Sequence, residues 1–269
     1  MVDATLGAGG HAEALLDAGV QTVVGIDRDP EALAEANARL GRFGSRFRSV
    51  QGRFGELDRV AAETGLDEVA GVLFDLGVSS MQLDRPGRGF SYRGEGPLDM
   101  RMGAEGSTAA DIVNDYTEED LARVIFEFGQ ERQSRRIARS IVRARERAPI
   151  TTTGQLTSVV ASAVGRHKGG PHPARRTFQA LRIEVNRELE ELAASLPQAA
   201  GLLESGGRLA VISYHSLEDR IVKRFVAGTP ELVALMKKPA RPSEREAAAN
   251  PRARSARLRA AERHPEMAA

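Results

Sequence analysis

The first hundred residues alternate short apolar runs with segments in which apolar residues recur at helical spacing. The apolar runs are four or five residues long and cover residues 2–6, 22–26, 47–50 and 71–74. Helices are predicted between them, around residues 14–18, 30–40 and 57–62. Apolar strands that alternate with helices form parallel sheets covered on both faces, so we expect an α/β unit here.

The pattern changes in the second part of the chain. Residues 77–106 show no periodicity, which predicts a long loop, and helical spacing follows in three places. Thr117 with Asp120 is typical of a capping box. The predicted helices contain the sets Leu121, Val124, Ile125 and Phe128; Leu156, Val159, Val160 and Ala163; and Phe178, Leu181, Val185, Leu189 and Leu192.

The strand–helix pattern resumes near the end of the chain. Residues 208–212 predict a buried strand, Ser216 with Asp219 predicts the cap of a following helix, and the tail from Pro239 is either loop or a final hairpin. The predicted organisation is therefore an α/β domain (residues 1–104 and 187–269) interrupted by a helical domain (residues 105–186).

Composition narrows the class of protein. The chain has 269 residues, 41% hydrophobic and 28% charged, and no cysteine, which is typical of a soluble globular protein. Without cysteine, disulfides, zinc–thiolate sites, iron–sulfur clusters and thiol nucleophiles are excluded. Apolar runs stay below the 18 or so residues of a membrane helix, and residues 1–20 contain acids but no basic group, unlike a signal peptide. We expect a cytoplasmic location.

Charge is distributed unevenly. Residues 1–100 carry 10 basic and 16 acidic groups, a net of −6, and residues 101–269 carry 28 and 21, a net of +7. Residues 132–147 contain seven arginines and one acid, Glu146, and residues 237–263 contain nine basic groups. Such runs indicate an anionic partner, although a solvated helix face is the more common explanation of a single run.

A glycine-rich turn, Gly7-Ala8-Gly9-Gly10, lies between the first predicted strand and helix, and Asp27 ends the second strand. In a Rossmann-like sheet such glycines let the backbone approach a nucleotide-bearing cofactor, and the acid accepts hydrogen bonds from ribose hydroxyls. A tight turn with a helix-capping Asp is the alternative.

The acids near this turn favour a cationic cofactor. Dinucleotide sites prefer a third glycine where this chain has Glu13, whose carboxylate would repel a pyrophosphate. S-adenosylmethionine carries a ribose and a sulfonium but no phosphate, and it suits the acids at the strand ends, Asp3, Asp27 and Asp75. A nicotinamide-dependent oxidoreductase and a non-catalytic RNA-binding module stay open as alternatives.

Three further residues carry possible chemistry. Asp75 stands where amino-directed methyltransferases place an Asp/Asn-Pro-Pro-aromatic motif, but prolines and aromatic are missing, so Asp75 is either a catalytic acceptor or a strand-end cap. His215 and His11 lie where a histidine orients substrate, shuttles a proton or simply packs at a helix start. Neither histidine shows a ligand partner at helical spacing, so no metal is expected.

Six segments resemble the RsmH (MraW) family of bacterial methyltransferases, which act on N4 of a cytidine in 16S ribosomal RNA. They are DATLGAGGH (3–11), GVLFDLGVSS (71–80), GPLDMRM (96–102), RTFQALR (176–182), HSLEDR (215–220) and NPRARS (250–255). The resemblance spans nearly the whole chain. One departure matters: a segment that the family has before its first strand is absent. Tyr214, where the family usually has Phe, is a minor departure.

The resemblance implies a Rossmann-like, class I S-adenosylmethionine-dependent methyltransferase fold (α/β) with an inserted all-helical domain. That domain would face RNA of the small ribosomal subunit, its arginines contacting phosphates. Asp27 would bind the ribose, Phe54 would stack on the adenine, and Asp75 would also hold the cytosine amino group. The residues implied to bind S-adenosylmethionine are Gly9, Gly10, His11, Asp27, Phe54, Asp75 and Gln82.

Overall fold

The structure is a computed structural model that describes residues 1–165 and 172–264. Residues 166–171 of the predicted helical domain and 265–269 of the tail lie outside the described residues. The chain divides into two compact units: Met1–Gly77 with Leu189–Ala269, here called the sheet unit, and Val78–Glu188, the helical unit. The boundaries between these compact units are at 77/78 and 188/189, whereas the sequence analysis placed domain boundaries at 104/105 and 186/187.

The sheet unit contains seven strands in the spatial order β3-β2-β1-β4-β5-β7-β6. Strands β1 to β5 are parallel to one another, and β7 runs antiparallel between β5 and β6. The tail therefore contributes an antiparallel strand. The bounds are β1 Val2–Asp3, β2 Val23–Asp27, β3 Phe47–Gln51, β4 Val69–Asp75, β5 Leu203–Ser213, β6 Leu232–Ala234 and β7 Arg257–Arg263.

Helices cover both faces of this sheet, as predicted. Val24 and Ile26 of β2 belong to one apolar core and Val23 to another, since successive side chains of a strand point to opposite faces. The first core includes residues of α3 and α10, the second residues of α1 and α2. The helices are α1 Gly10–Asp17, α2 Pro30–Leu40, α3 Leu57–Thr64, α10 Glu188–Leu202, α11 Ser216–Gly228 and α12 Glu244–Ala249.

The helical unit has its own apolar core. Leu121, Ile125 and Leu156, predicted from their spacing, are fully buried in it, and the Thr117 hydroxyl accepts a hydrogen bond from the Asp120 amide at 3.1 Å, as a cap. The helices are α4 Ser80–Asp84, α5 Ala109–Asp115, α6 Glu118–Glu127, α7 Ser134–Arg145, α8 Thr153–Val164 and α9 Arg175–Asn186. Within residues 1–165 and 172–264, no helix is long and apolar enough to span a membrane.

The single long helix predicted through Phe178 and Leu192 was wrong. Helix α9 ends at Asn186, and Arg187 adopts a left-handed conformation with φ of 51° before α10 begins. The buried Asn186 side chain bonds the preceding loop: its amide donates to the Met100 carbonyl at 2.8 Å, and its carbonyl accepts from the Met102 amide at 3.0 Å. The apolar residues keep their helical spacing across this point without interruption. The helix nevertheless ends, because Asn186 forms hydrogen bonds with a distant segment of the chain.

Two further predictions need correction. The cap of α11 is His215 rather than Ser216: its Nδ1 accepts from the Glu218 amide at 3.4 Å, and the Glu218 carboxylate accepts from the His215 amide at 3.2 Å. The stretch 77–106 is not loop throughout, because it contains α4 and a 3₁₀ turn, Pro86–Arg88.

Candidate cofactor site at the carboxyl edge of the sheet

The glycine turn leads from β1 into α1 through two left-handed residues. Gly7 has a φ of 52° and Gly9 a φ of 82°, conformations that favour glycine. A Cβ on Gly9 would also lie 2.8 Å from the Leu40 side chain, so a larger residue would require that side chain to move. Gly9 caps α1 without a side chain, which leaves the backbone of the turn open to a ligand.

Asp27, at the end of β2, is bonded to this turn. Its Oδ2 accepts from the Gly7 amide at 2.8 Å and its Oδ1 from the Asp29 amide at 2.9 Å. Burial raises the pKa of the Asp27 carboxyl, and the two amide donors offset part of that rise. The alternative role for Asp27 was that of a helix cap, but the residue that caps α2 is Asp29, whose side chain accepts from the Glu31 amide. Asp27 therefore orders the turn and keeps acceptor lone pairs for a further donor.

Asp75, at the end of β4, lies where four elements meet. Its Oδ2 is 3.1 Å from His11 Nε2, and its Oδ1 accepts from the Tyr214 hydroxyl at 2.9 Å. Its amide donates to the Thr5 hydroxyl at 2.6 Å. The Asp75 side chain is 27% exposed and that of His11 47%, so a ligand can reach both. The hydrogen bond with Asp75 is the main reason that the pKa of His11 is raised.

Asp3 is the most unusual residue of the site. Its side chain is completely buried, its Oδ1 accepts from the Thr5 amide at 3.2 Å, and its Oδ2 has no hydrogen-bond partner in the described part of the chain. Burial raises the pKa of Asp3 to about 6, with nearby Asp75 and Asp27 adding to the rise and His11 opposing it. A buried carboxylate with an oxygen that lacks a donor is costly when ionised, and a cation bound nearby would lower that cost.

Two other residues, Phe54 and Gln82, are also predicted to bind the cofactor. Phe54 follows β3, and its ring meets Phe74 edge to face, with centroids 6.0 Å apart. Gln82 belongs to the helical unit, where its side chain and amide form a capping box with Ser79 at the start of α4. The structure thus brings Gly9, Gly10, His11, Asp27 and Asp75 to one edge of the sheet unit. The binding roles of Phe54 and Gln82 stay predictions.

His215 has a partner that the sequence analysis missed. Its Nε2 lies 3.1 Å from an oxygen of Glu218, and both side chains are buried, at 10% and 3% exposed. The statement that neither histidine has a partner at helical spacing was therefore wrong for His215. The His-x-x-Glu spacing at 215–218 was the available signal. Thr5 and Tyr214 also contact Asp75. No sequence motif predicted these contacts, because they depend on the tertiary fold.

The strand order, the glycine turn and the acids at adjacent strand ends define a Rossmann-like protein of the class I methyltransferase type. The chain belongs to the MraW methylase family, whose sequence model matches residues 1–264. It is 52% identical over 284 residues to ribosomal RNA small subunit methyltransferase H of Methylobacterium sp. (strain 4-46), covering 98% of this chain and 84% of that protein.

A second relative has the same name. The ribosomal RNA small subunit methyltransferase H of Deinococcus deserti is 54% identical over 264 residues, covering 98% of this chain and 86% of the relative. Among solved structures, an rRNA methylase from Streptococcus thermophilus aligns with a TM-score of 0.44 and 14% identity over 98% of this chain and 85% of that one. The family resemblance seen in the sequence is confirmed.

Proposed function

We propose that this protein transfers a methyl group from S-adenosylmethionine to N4 of a cytidine in 16S ribosomal RNA of the small ribosomal subunit. Membership of a methylase family and the name of the relatives support this activity. The observation that supports it most directly is the position of Asp75. This carboxylate is a partly exposed hydrogen-bond acceptor beside the glycine turn and the buried acid Asp3. Neither the family nor these relatives support the nicotinamide-dependent alternative.

The residues present fit S-adenosylmethionine. The buried carboxylate of Asp3 interacts electrostatically with His11, Asp75 and Asp27, so its negative charge would favour the cationic donor without touching it. Asp27 retains acceptor capacity for the ribose, and the backbone of the turn at Gly9 and Gly10 would line the site. Phe54 would hold the adenine, and His11 would complete the part of the site that lies in the sheet unit. When bound, S-adenosylmethionine supplies a methyl group on a sulfonium, ready for direct transfer to a nucleophile.

Asp75 would prepare that nucleophile. The N4 lone pair of cytosine is delocalised into the ring, so the amine attacks poorly unless its hydrogens meet acceptors. The Asp75 carboxylate accepts such hydrogens and holds the nitrogen in line with the methyl carbon, and alignment of this kind lowers a barrier strongly. Bases in RNA loops are unstacked more easily than bases in a duplex and can therefore enter such a site.

The helical unit would bind the RNA. On and beside α7, five arginines are exposed and make no ion pair with a carboxylate in residues 1–165 or 172–264: Arg132, Arg135, Arg136, Arg143 and Arg147. Two others are engaged, because Arg139 approaches Glu118 at 3.4 Å and Arg145 donates to the Val113 carbonyl at 2.8 Å. A row of unpaired guanidinium groups suits phosphate contacts better than a salt-bridged, solvated face.

The test is to map modified nucleosides in 16S RNA from cells with and without the gene. We expect one cytidine to lose its N4-methyl group on deletion and to regain it when the wild-type gene, but not an Asp75→Ala variant, is returned. An unchanged map would contradict the proposed function. A cytoplasmic location follows from this substrate and stays a prediction.

A further inference from the structure

The Asp75 carboxylate is held from two sides. His11 Nε2 lies 3.1 Å from Oδ2, and the Tyr214 hydroxyl donates to Oδ1 at 2.9 Å. A carboxylate with a single donor can rotate about its Cβ–Cγ bond, whereas donors on both oxygens restrict that rotation. The plane of the carboxylate is therefore set before any substrate arrives.

Tyr214 is itself firmly placed. It directly follows β5, and its amide donates to a Glu218 oxygen at 2.8 Å, so the first turn of α11 holds its backbone. Burial and the negative charge of Asp75 raise the pKa of the Tyr214 phenol well above its usual value, so the hydroxyl keeps its proton across the physiological range. Tyr214 is thus a permanent donor to Asp75.

We propose that Tyr214 is a positioning residue for methyl transfer: its hydroxyl fixes the Asp75 carboxylate in the orientation that receives the cytosine amino group. The inference rests on the proposed function of Asp75. Phe at position 214 would preserve the ring but not this bond, so the hydroxyl of Tyr214 is the group that the inference concerns.

The first test compares Tyr214→Phe with Tyr116→Phe in single-turnover methyl transfer to small ribosomal subunits. Tyr116 is a matched control, because its hydroxyl also donates to a carboxylate, that of Glu184 at 2.8 Å, but in the helical unit. Loss of one hydrogen bond to a charged group predicts a rate at least about 10-fold lower for Tyr214→Phe, with KM for both substrates within about twofold. Tyr116→Phe should react at the wild-type rate.

The second test needs no activity. Without the phenol, the Asp75 charge is available to His11 alone, so the NMR titration midpoint of the His11 imidazole should rise in Tyr214→Phe and not in Tyr116→Phe. In an Asp75→Asn background, Tyr214→Phe should cause no such rise. A residue that only fills space would leave the midpoint unchanged in every background.

The results of the two tests distinguish a failure of the positioning role of Tyr214 from a failure of the proposed methyltransferase function. A wild-type rate in Tyr214→Phe, or an unmoved His11 midpoint, overturns the role of Tyr214 while methylation by the wild-type protein stands. If the wild-type protein methylates no ribosomal RNA, the proposed function fails, and with it the role of Tyr214 in methyl transfer. The His11 titration would then still report whether Tyr214 bonds Asp75.

Discussion

At the residue scale, Asp3 shows how the site balances stability against binding. The carboxyl group of Asp3 has no exposed surface, so it loses its hydrogen bonds to water on folding. One of its oxygens gains no hydrogen bond from the described residues of the protein in return. Its pKa is raised from 3.8 to about 6, which means that the folded protein resists its ionisation. Such a residue lowers the stability of the free protein at neutral pH and is compensated when a suitable ligand binds.

Replacement of Asp3 by Asn should therefore stabilise the free protein at neutral pH and weaken donor binding. Because the folded-state pKa is raised, the contribution of Asp3 is most favourable below about pH 4 and is lost as the pH rises through about 6. A shift of about two pKa units corresponds to about 3 kcal/mol at pH 7.

Urea unfolding of both proteins at about pH 4 and pH 7 measures this difference. The advantage of Asp3→Asn should appear at the higher pH and vanish at the lower one. Binding of S-adenosylhomocysteine by the variant should be at least tenfold weaker. Equal stability of the two proteins at neutral pH would contradict the prediction, because it would mean that burial of the ionised Asp3 carboxyl has no net energetic cost.

At the element scale, the strands that carry the site were predictable and its side-chain contacts were not. β2 and β4 are apolar runs that end in an acid, so the positions of Asp27 and Asp75 followed from local pattern. The bond between Asp75 and Tyr214 joins residues 139 positions apart, which no local spacing encodes. The break at Arg187 escaped prediction for a similar reason, because tertiary hydrogen bonds of Asn186 decide it.

The exposed arginines of α7 that form no ion pair with a carboxylate among the residues that the structure describes, here called the α7 face, lead to a prediction about RNA binding. Replacing Arg135, Arg136 and Arg143 together by Ala should weaken binding to small-subunit RNA and flatten its dependence on salt. Each lost phosphate contact lowers the slope of log K against log salt by about 0.7 to 0.9, so three contacts predict a decrease of about 2. Fluorescence titrations across a salt series measure this slope.

A matched triple variant provides the control. Arg59, Arg123 and Arg208 are also exposed, but each already forms an ion pair with a carboxylate, at 2.7, 3.4 and 3.0 Å respectively. Their replacement by Ala should leave the salt slope unchanged. The same decrease in both triple variants would mean that total charge, rather than the α7 face, governs RNA binding.

At the scale of the whole molecule, one family model covers residues 1–264 and therefore includes both units. The sheet unit contains the candidate donor site and the helical unit the unpaired arginines, and the proposed reaction needs both. Ligand specificity can be tested on the intact protein, because a ligand that binds only the folded state stabilises it.

S-adenosylhomocysteine at 100 times its Kd should stabilise the protein by about 2.7 kcal/mol, which raises Tm by several degrees. NAD at the same concentration should leave Tm unchanged, because Glu13, which pairs with Arg42 at 3.2 Å, stands where a dinucleotide site has the third glycine of its motif. Differential scanning calorimetry checks both. Stabilisation by NAD alone would favour an oxidoreductase.

The most direct measurement supplies the purified protein with S-adenosylmethionine labelled in its methyl group and with unmethylated small ribosomal subunits. Digestion of the RNA and mass spectrometry of its nucleosides then locate the label. We predict labelled N4-methylcytidine at a single position with the wild-type protein and none with Asp75→Ala. Label on another nucleoside, or a fully active Asp75→Ala variant, would contradict the assignment of Asp75 as the acceptor of a cytosine amino group.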